Sequence, residues 1–510
     1  MTEIDVPVLV VGGGIVGLST ALFLADQGVA ALTIEKHSGT AIHPRARGFH
    51  ASTIELFEST GLAEDIARTG LTFNPSADVG MLVAATLAGP VHAFHRFDPR
   101  RAGLDLSART TVALGQDRLE PMVLDRARSL GADIRFEHTL LSFEDRGDHV
   151  LAHVLDRASN RRVTVRARFL VAADGARSPV RESLGIARTG IGSLGHAYSA
   201  LFSADLSRFR SEHPFVMARV TQPGAEGLFI GTDVPDRWLY GTGSPPHEPP
   251  RELPTTEQWV ERIRAAAGDP SLAVTVHGAF AWEPAERVAE RLVAGRIALV
   301  GDAAHQMPPT GGYGANTGIH DAANLAWKLA AIVAGHAPDS LLATYDDERR
   351  PVAQATARQS LLAARQIGTV IPGLTETEAD VVEEAAVVFG YRYGHPAPLP
   401  RRYEPSGDPG TRAPHAWVTV GGERVSTARL FGRPFVLLAG TDAWSTAAAS
   451  LRPSVRVERV DGWQTAYGVE PDGAVLVRPD GVVASRLPSW SDHASDDLAA
   501  ALAHALGWAP

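Results

Sequence analysis

The chain has 510 residues, 45% of them apolar and 21% charged, a length that supports two or three domains with full-sized cores. A formal net charge of -10 argues against nucleic acid or an anionic membrane as the main partner, and the lack of any cysteine excludes disulfides, thiolate catalysis and thiolate metal ligands. No apolar run approaches the ~20 residues of a membrane span, and the first strand starts too near Met1 to leave room for a cleavable signal, so a cytoplasmic protein without a metal site is expected.

Residues 6–11 form a short apolar run, residues 15–27 an apolar-periodic segment, and residues 30–34 a second apolar run closed by Glu35. That pattern predicts strand, tight turn, helix, strand. Gly12, Gly14 and Gly17 fit the spacing GxGxxG in the turn: Gly12 permits the bend, Gly14 lets backbone N–H groups approach a diphosphate, and Gly17 lets helix pack closely on strand. The helix N-terminus would face the phosphates, and Glu35 would accept hydrogen bonds from the adenosine ribose. The fingerprint alone does not choose among NAD, NADP and FAD.

A polar connection, 37–47, then carries Arg45 and Arg47 beside the phosphate end, where a guanidinium can pair with diphosphate or steer an anionic reductant; the alternative is two solvated loop arginines. A helix is predicted over 53–62. The stretch 72–109, with alternating runs such as 81–91, predicts strands of a second, substrate-side layer. A helix over 116–130 begins with Gln116. Strands over 134–143, 150–155 and 161–168 follow, and a return strand over 169–173 ends in Asp174-Gly175-Ala176-Arg177-Ser178, with a helix from about 179. Asp174 stands where an open α/β sheet binds ligands, although a helix cap would use the same residue.

Strands over 197–204, 215–220, 227–232, 238–243 and 273–282, interrupted by a helix over 256–267, read as an inserted substrate-binding sheet. A strand over 296–300 then runs into Gly301-Asp302-Ala303-Ala304-His305-Gln306-Met307-Pro308-Pro309-Thr310-Gly311-Gly312-Tyr313-Gly314-Ala315-Asn316, and a long helix starts near Asn316. Asp302 can hold a sugar-alcohol hydroxyl, the glycines can bring bare backbone against a flat ring, and the helix N-terminus can face an edge that gains negative charge on reduction. A flavin meets all three demands; nicotinamide has no such anionic edge.

These three motifs, in this order, resemble those of the FAD-dependent aromatic hydroxylases of the p-hydroxybenzoate hydroxylase class, and within it the polyketide-tailoring branch that includes aklavinone hydroxylase. The resemblance implies an α/β fold: a Rossmann-like FAD-binding domain over 1–185, with a substrate-side segment near 72–109, an inserted mixed-sheet substrate domain over 186–290, completion of the FAD domain over 291–393, and a thioredoxin-like domain over 394–510. It implies that Glu35 binds ribose with Lys36 beside it among the cofactor residues. Gln116 and Asp302 would contact the ribityl and diphosphate region, with Arg45 next to the cofactor. Asp174 and Gly175 would serve FAD and a transient NADPH or NADH, and Gly312, Gly314, Ala315 and Asn316 would lie against the isoalloxazine. The implied activity is hydroxylation of a phenolic, hydroxypyridine or polyketide-type substrate by O₂ through a flavin C4a-hydroperoxide. A Baeyer–Villiger oxidation, a drug-inactivating monooxygenase and a flavin reductase that never activates oxygen are the alternatives.

Arg47, His50 and Pro308 are the catalytic candidates. Where the phenol hydroxylases are expected to carry an acidic residue, this chain has Arg47-Gly48-Phe49-His50, which makes His50 the nearest base; a structural histidine is the other reading. Past a Pro- and Gly-bearing linker, 394–413, strands over 434–439 and 455–460, a hairpin over 475–484 and a helix over 496–506 resemble the thioredoxin-like tail of the polyketide hydroxylases. Without cysteine that tail has no redox chemistry, so packing or self-association, including a homo-oligomer, is its expected role.

Overall fold

A computed structural model describes residues 2–72, 79–96, 105–366, 371, 374–396 and 398–508. The parts of the expected substrate-side segment at 73–78 and 97–104 lie outside the described residues. Strand Thr2–Val11 runs parallel to Ala31–Ile34 on one side and to Arg161–Ala172 on the other, with Asp133–Arg135 and Ile297–Leu299 parallel beyond them. Parallel strands covered on both faces read as unbroken apolar runs, and Val8, Leu9, Val10, Leu170, Val171 and Ala172 are all fully buried. The register pairs Val11 with Ala172 and Ala172 with Leu299. The carboxyl ends of these three strands therefore reach one edge together, and the three motifs that follow them converge there.

The expected break near residue 168 is absent. Arg161–Ala172 is one strand whose first part pairs antiparallel with Val150–Asp156 and whose last part pairs parallel with Ile297–Leu299. The fingerprint helix Ile15–Asp26 is buried at every residue except Val16, because the sheet covers one side and helices Gln116–Ser129 and Tyr313–Val333 cover the others. The helix expected over 53–62 is shorter, Ala51–Leu56; the chain turns through Gly61, whose φ of +74° favours glycine, and enters a second helix, Ala63–Thr69.

A seven-stranded sheet stands opposite the central one. It holds His196–Ser203, Phe215–Val220, Gly227–Gly231, Arg237–Ser244 and Thr275–Trp282, and it also takes Gly80–Ala84 and Val91–Arg96 from the earlier segment. Helix Thr256–Ala267 covers its outer face, with fully buried Trp259 edge-on to Tyr240. The two ends of the insertion, Arg188–Ser193 and Ala285–Ala289, instead form a three-stranded ribbon with His305–Gln306, which ties the insertion to the third motif.

In the C-terminal region, strands Val436–Ala439, Arg456–Glu458, Ala474–Val477 and Val483–Leu487 stand in the order second, first, third, fourth, with only the first pair parallel. Helices Ala443–Ala448, Gln464–Tyr467 and Ala494–Ala505 complete a thioredoxin-like unit, preceded by a hairpin, Trp417–Val420 with Glu423–Ser426, that the sequence pattern did not signal. This unit is bolted to the rest by a buried charge network. Arg478 binds both oxygens of Glu348 at 2.7 and 3.0 Å and Asp480 at 2.5 Å, while Lys328 reaches Glu348 at 2.8 Å. Burial opposes the charge on Glu348, but Arg478 and Lys328 outweigh it and hold the carboxyl well below the usual range; burial in turn pulls Lys328 down to about 8. Removing one partner of a buried ion pair costs about 3–5 kcal/mol. Arg478→Leu should therefore destabilise the protein by that order in chemical denaturation, and a stability within about 0.5 kcal/mol of the parent, the range of a surface change, would contradict the role given to the network.

Candidate flavin site

At the diphosphate end the glycines divide into two kinds. Gly12 has φ +110° and a Cβ there would lie 2.2 Å from the Ala173 carbonyl oxygen; a Cβ on Gly17 would lie 1.9 Å from the Gly12 carbonyl oxygen. Both are demanded by the chain's own packing. A Cβ on Gly14 would meet nothing closer than 3.9 Å, so the room there serves no neighbour of its own. Gly14 is also the N-cap of the fingerprint helix and supplies no side-chain cap, which leaves first-turn N–H groups available to an anion.

Glu35 accepts the Gly13 N–H at 2.6 Å and the His37 N–H at 2.8 Å, which aims its carboxylate at the end of the strand while lone pairs remain for ribose hydroxyls. Gly13 matters for the same reason, since a Cβ there would strike the Glu35 Cβ at 2.7 Å. Lys36 is exposed, and only its carbonyl is used, by Arg157. Gln116 is a brace: its carbonyl oxygen accepts the Ala46 N–H at 3.2 Å and its amide donates to Glu120 at 2.6 Å. Glu120 accepts the Ala41 N–H at 2.6 Å as well, so this one helix clamps the 41–46 loop beside Gly14. Glu120 was missed in the sequence, although its position one turn after Gln116 is a legible signal.

In the middle of the cleft, one oxygen of Asp174 caps the Val180 N–H at 3.0 Å, while the other is buried without a partner. The helix-cap reading thus holds for one oxygen, and the second is left for a ligand. Burial raises the Asp174 carboxyl, against the pull of Ser178 and Val180. Asp302 sits on a 3-10 turn at the cleft surface, where the surrounding protein raises its carboxyl and the charges of His305 and Arg45 oppose the rise. Arg45 is exposed; its backbone N–H donates to the His43 carbonyl at 2.9 Å, and its guanidinium forms no hydrogen bond or ion pair among the described residues.

The long helix begins at Tyr313, three residues before the expected start, because Gly312 takes a left-handed conformation (φ +68°) as its N-cap. Asn316 consequently lies inside the first turn. Its amide donates to Gly48 and Gly312 at 3.0 and 2.7 Å and its oxygen accepts the His50 N–H at 2.9 Å, so it ties the Arg47–His50 loop to the helix. Gly314 and Ala315 remain half-exposed beside it, and the Pro308 carbonyl is held by Ser360 at 2.8 Å.

His50 is buried against Tyr313, with Nε2 at 3.1 Å from the Gly311 carbonyl, and burial pushes its ring down to about 4. It is neutral at ordinary pH. Among the described residues the Arg47 guanidinium hydrogen-bonds the Gly231 carbonyl alone, at 3.4 Å, on the opposite sheet; burial lowers it to about 10, which leaves it charged. A further group had no signal in the sequence: Asp321 accepts from His305 Nε2 at 2.6 Å, Arg349 Nε at 2.8 Å and the Gly301 N–H at 3.2 Å. An uncapped helix start at Gly14, a buried unpartnered oxygen on Asp174, an unpaired Arg45 and a second uncapped helix start at Gly312 together fit FAD.

Residues 5–360 match the FAD binding domain family and residues 406–509 match the family of aromatic-ring hydroxylase C-terminal domains. The tetracenomycin A2 monooxygenase-dioxygenase of Streptomyces glaucescens is 38% identical over 546 residues, covering 98% of this chain and 97% of that protein. The aklavinone 12-hydroxylase of Streptomyces peucetius is 39% identical over 459 residues, covering 87% and 94%. A crystal structure of aklavinone-11 hydroxylase with FAD and aklavinone superposes with a TM-score of 0.88 at 36% identity, covering 99% of this chain and all of the other.

Two outcomes follow from this geometry. Gly14 has φ -75°, which valine adopts freely, so Gly14→Val should keep the parent's thermal midpoint yet lose FAD binding, measured by quenching of flavin fluorescence; unchanged affinity would make the glycine a packing residue. His50 is also a linkage group. Its ring is held at about 4 against an ordinary 6.5, so below pH 6.5 the unfolded chain takes up a proton that the folded chain refuses. Stability should fall by roughly 3 kcal/mol as pH drops from 6.5 to 4, and His50→Gln should remove that part of the slope in pH-dependent denaturation.

Proposed function

The chain belongs to the FAD-dependent aromatic-ring hydroxylases and is a flavin-dependent monooxygenase, and from that premise we propose that it hydroxylates a planar, fused-ring phenol of the polyketide type, with NADPH or NADH as transient reductant. The observation that carries this reading is the face the seven-stranded sheet turns toward the flavin site. Phe280, Ser199, Gly241 and Leu228 are neighbours across four adjacent strands, and alternation puts them on the side opposite buried Phe229 and Tyr240. Phe280 meets His43 of the cofactor loop at 5.0 Å between rings, so this is the side on which the two halves close. A floor of serine and glycine between phenylalanine and leucine accepts a flat ring system.

Reduced FAD, when bound, would supply the electrons that activate O₂, one atom of which is inserted into the ring. The Glu35 carboxylate would take the ribose, the Gly14 helix start the diphosphate, Asp302 the ribityl chain, and the Gly312 helix start the electron-rich edge of the flavin. His50 is uncharged at ordinary pH, so the ring nitrogen turned away from the Gly311 carbonyl can accept a hydrogen bond from a substrate hydroxyl, which makes the ring carbons ortho and para to it more nucleophilic. Arg47 keeps a positive charge between the two sheets, where it favours the phenolate. The apolar enclosure excludes water, which would otherwise divert the activated oxygen.

In NAD(P)H oxidation assays, polycyclic phenols should accelerate consumption and yield products heavier by one oxygen atom; acceleration without oxygen incorporation in every case would refute the hydroxylase reading for this substrate class. Asp302→Ala should weaken FAD binding roughly 10- to 100-fold, the loss of one charge-assisted hydrogen bond of about 1.5–3 kcal/mol, while saturating FAD restores much of the turnover. A variant that binds FAD as tightly as the parent would remove Asp302 from the cofactor site.

A further inference from the structure

A carboxylate stands where the flavin site should be most hospitable to an anion. Glu120, buried on helix Gln116–Ser129, turns toward the start of the fingerprint helix, and its Oε1 is what a Cβ on Gly14 would meet first, at 3.9 Å. Oε2 accepts the Ala41 N–H at 2.6 Å, and Oε1 accepts the Gln116 amide at 2.6 Å. Burial raises this carboxyl from its ordinary value, while the Ala41 N–H, the Gln116 amide, the charge of Arg45 and the Ile15 N–H in the first helical turn oppose the rise. Three of those four are hydrogen-bond donors and the fourth is a cation, so each of them favours the ionised form. In FAD-free protein the chain's own carboxylate therefore serves as the anion of this helix start.

Little else nearby can balance a second anion. From the 37–47 loop, Arg45 acts on Glu120, whereas His37 is bound to Glu35 at 2.5 Å and His43 answers to Arg45 and Asp117 and packs on Phe280. The fingerprint helix brings no acidic residue in its first turn, and on Glu120's own helix Asp117 answers to Asp233, Arg237 and Arg118. The diphosphate of FAD carries two negative charges. With Glu120 ionised, three would face one guanidinium and roughly half a unit of positive charge at the helix start. Like charges crowded into a water-poor site do not all stay ionised, and the group that yields is the one that can take a proton near neutral pH. A diphosphate diester cannot; a buried glutamate can.

We propose that FAD binds with uptake of one proton by Glu120, and that the carboxylic acid so formed donates its hydrogen bond to the diphosphate. The proposal rests on the placement of the diphosphate at the Gly14 helix start. An O–H bond forms on Oε1 with a proton drawn from solvent, and no other bond changes. Oε1 keeps a lone pair for the Gln116 amide, and Oε2, now a carbonyl oxygen, still accepts the Ala41 N–H. The 41–46 loop thus stays clamped as the cofactor enters, and a repulsion becomes a charge-assisted hydrogen bond. Glu120 is a cofactor-binding residue in its acid form. Because the bound state holds one proton more than the FAD-free state, FAD affinity is highest at low pH, where that proton is already in place. It falls by about tenfold per pH unit wherever the FAD-free carboxyl is ionised and the FAD-bound one is not.

The test is a calorimetric titration of the FAD-stripped full chain with FAD, repeated in phosphate and in Tris, whose different ionisation enthalpies reveal how many protons binding takes up. The parent should take up close to one proton per FAD at about pH 8, and its affinity should fall as pH rises. Glu120→Gln and Glu120→Ala, which carry no charge at any pH, should take up none and bind FAD with an affinity independent of pH. A merely structural role for Glu120 would weaken binding by the same factor at every pH and leave the proton count alone. In the parent, the infrared difference between FAD-loaded and FAD-free chain should gain the deuterium-sensitive carbonyl band of a protonated carboxyl. No uptake in the parent, uptake that survives in either variant, or a spectrum without that band overturns the proposal. Retention of FAD by Gly14→Val overturns the diphosphate placement and the proposal with it; loss of FAD in Gly14→Val, beside a proton count indifferent to Glu120, overturns the proposal alone.

Discussion

A single buried carboxylate, Asp321, decides how the flavin site is held together. It stands on the long helix with no exposure and is shared by His305 and the Gly301 N–H of the third motif and by Arg349 of helix Ala343–Gln366. Burial alone would raise its carboxyl, but His305 and Arg349 overcome that and hold it at about 2. The strand-end loop bearing Asp302, the helix that faces the flavin and the helix that closes over both thereby become one unit. Glycines make the fit possible: a Cβ on Gly318 would come within 2.5 Å of Val16, and one on Gly301 within 2.9 Å, so the fingerprint helix and the third motif touch through that one valine. Arg349 extends the unit further, to the Thr317 carbonyl and the Tyr393 hydroxyl.

What can be read in the chain depends on whether the determinant is local. The fingerprint strand, turn and helix were legible because periodicity and glycine spacing act within 30 residues. Helix Thr256–Ala267 was legible to the residue, because Thr255 and Gln258 form a reciprocal capping box and Gly268 ends the helix in a left-handed turn. The start of the long helix was not, since the left-handed state of Gly312 depends on the loop around it. Side-chain roles were less legible than elements. Gln116 and Asn316 stand where cofactor residues were expected, and their polar atoms are engaged in tying the loops of the site together. Asp321, His305 and Arg349 assemble only in three dimensions, across 16 and 28 residues of sequence, and no spacing rule connects them.

The C-terminal domain shows how a fold can be kept while its best-known chemistry is absent. The strand order and helices are thioredoxin-like, the thiols are missing, and in their place the hairpin carrying Arg478 and Asp480 is inserted into the flank of the long helix. Trp327 receives Arg478 over its ring at 5.0 Å and Phe435 edge-on at 5.6 Å. Arg412 adds a second tie, to both oxygens of Glu55 at 2.8 and 2.5 Å. Such an interface resembles a domain core more than a hinge, and it fixes the helix that faces the flavin from behind.

The order of strands in the central sheet also sets a timetable for synthesis. Thr2–Val11 leaves the ribosome first, yet its neighbour Arg161–Ala172 follows some 150 residues later and Ile297–Leu299 later still. At about 5–20 residues per second, roughly 15 to 60 s separate the emergence of the fingerprint from that of Asp302. During that interval the nascent chain carries a strand whose last four residues, Val8 to Val11, are all valine or leucine, with one long edge unpaired. Cofactor capture can begin only once the third motif has emerged, and the charges on Lys328 and Glu348 wait longer still for Arg478. Native contacts of such sequence separation make folding slow, and they place the vulnerable window of this enzyme in its own translation.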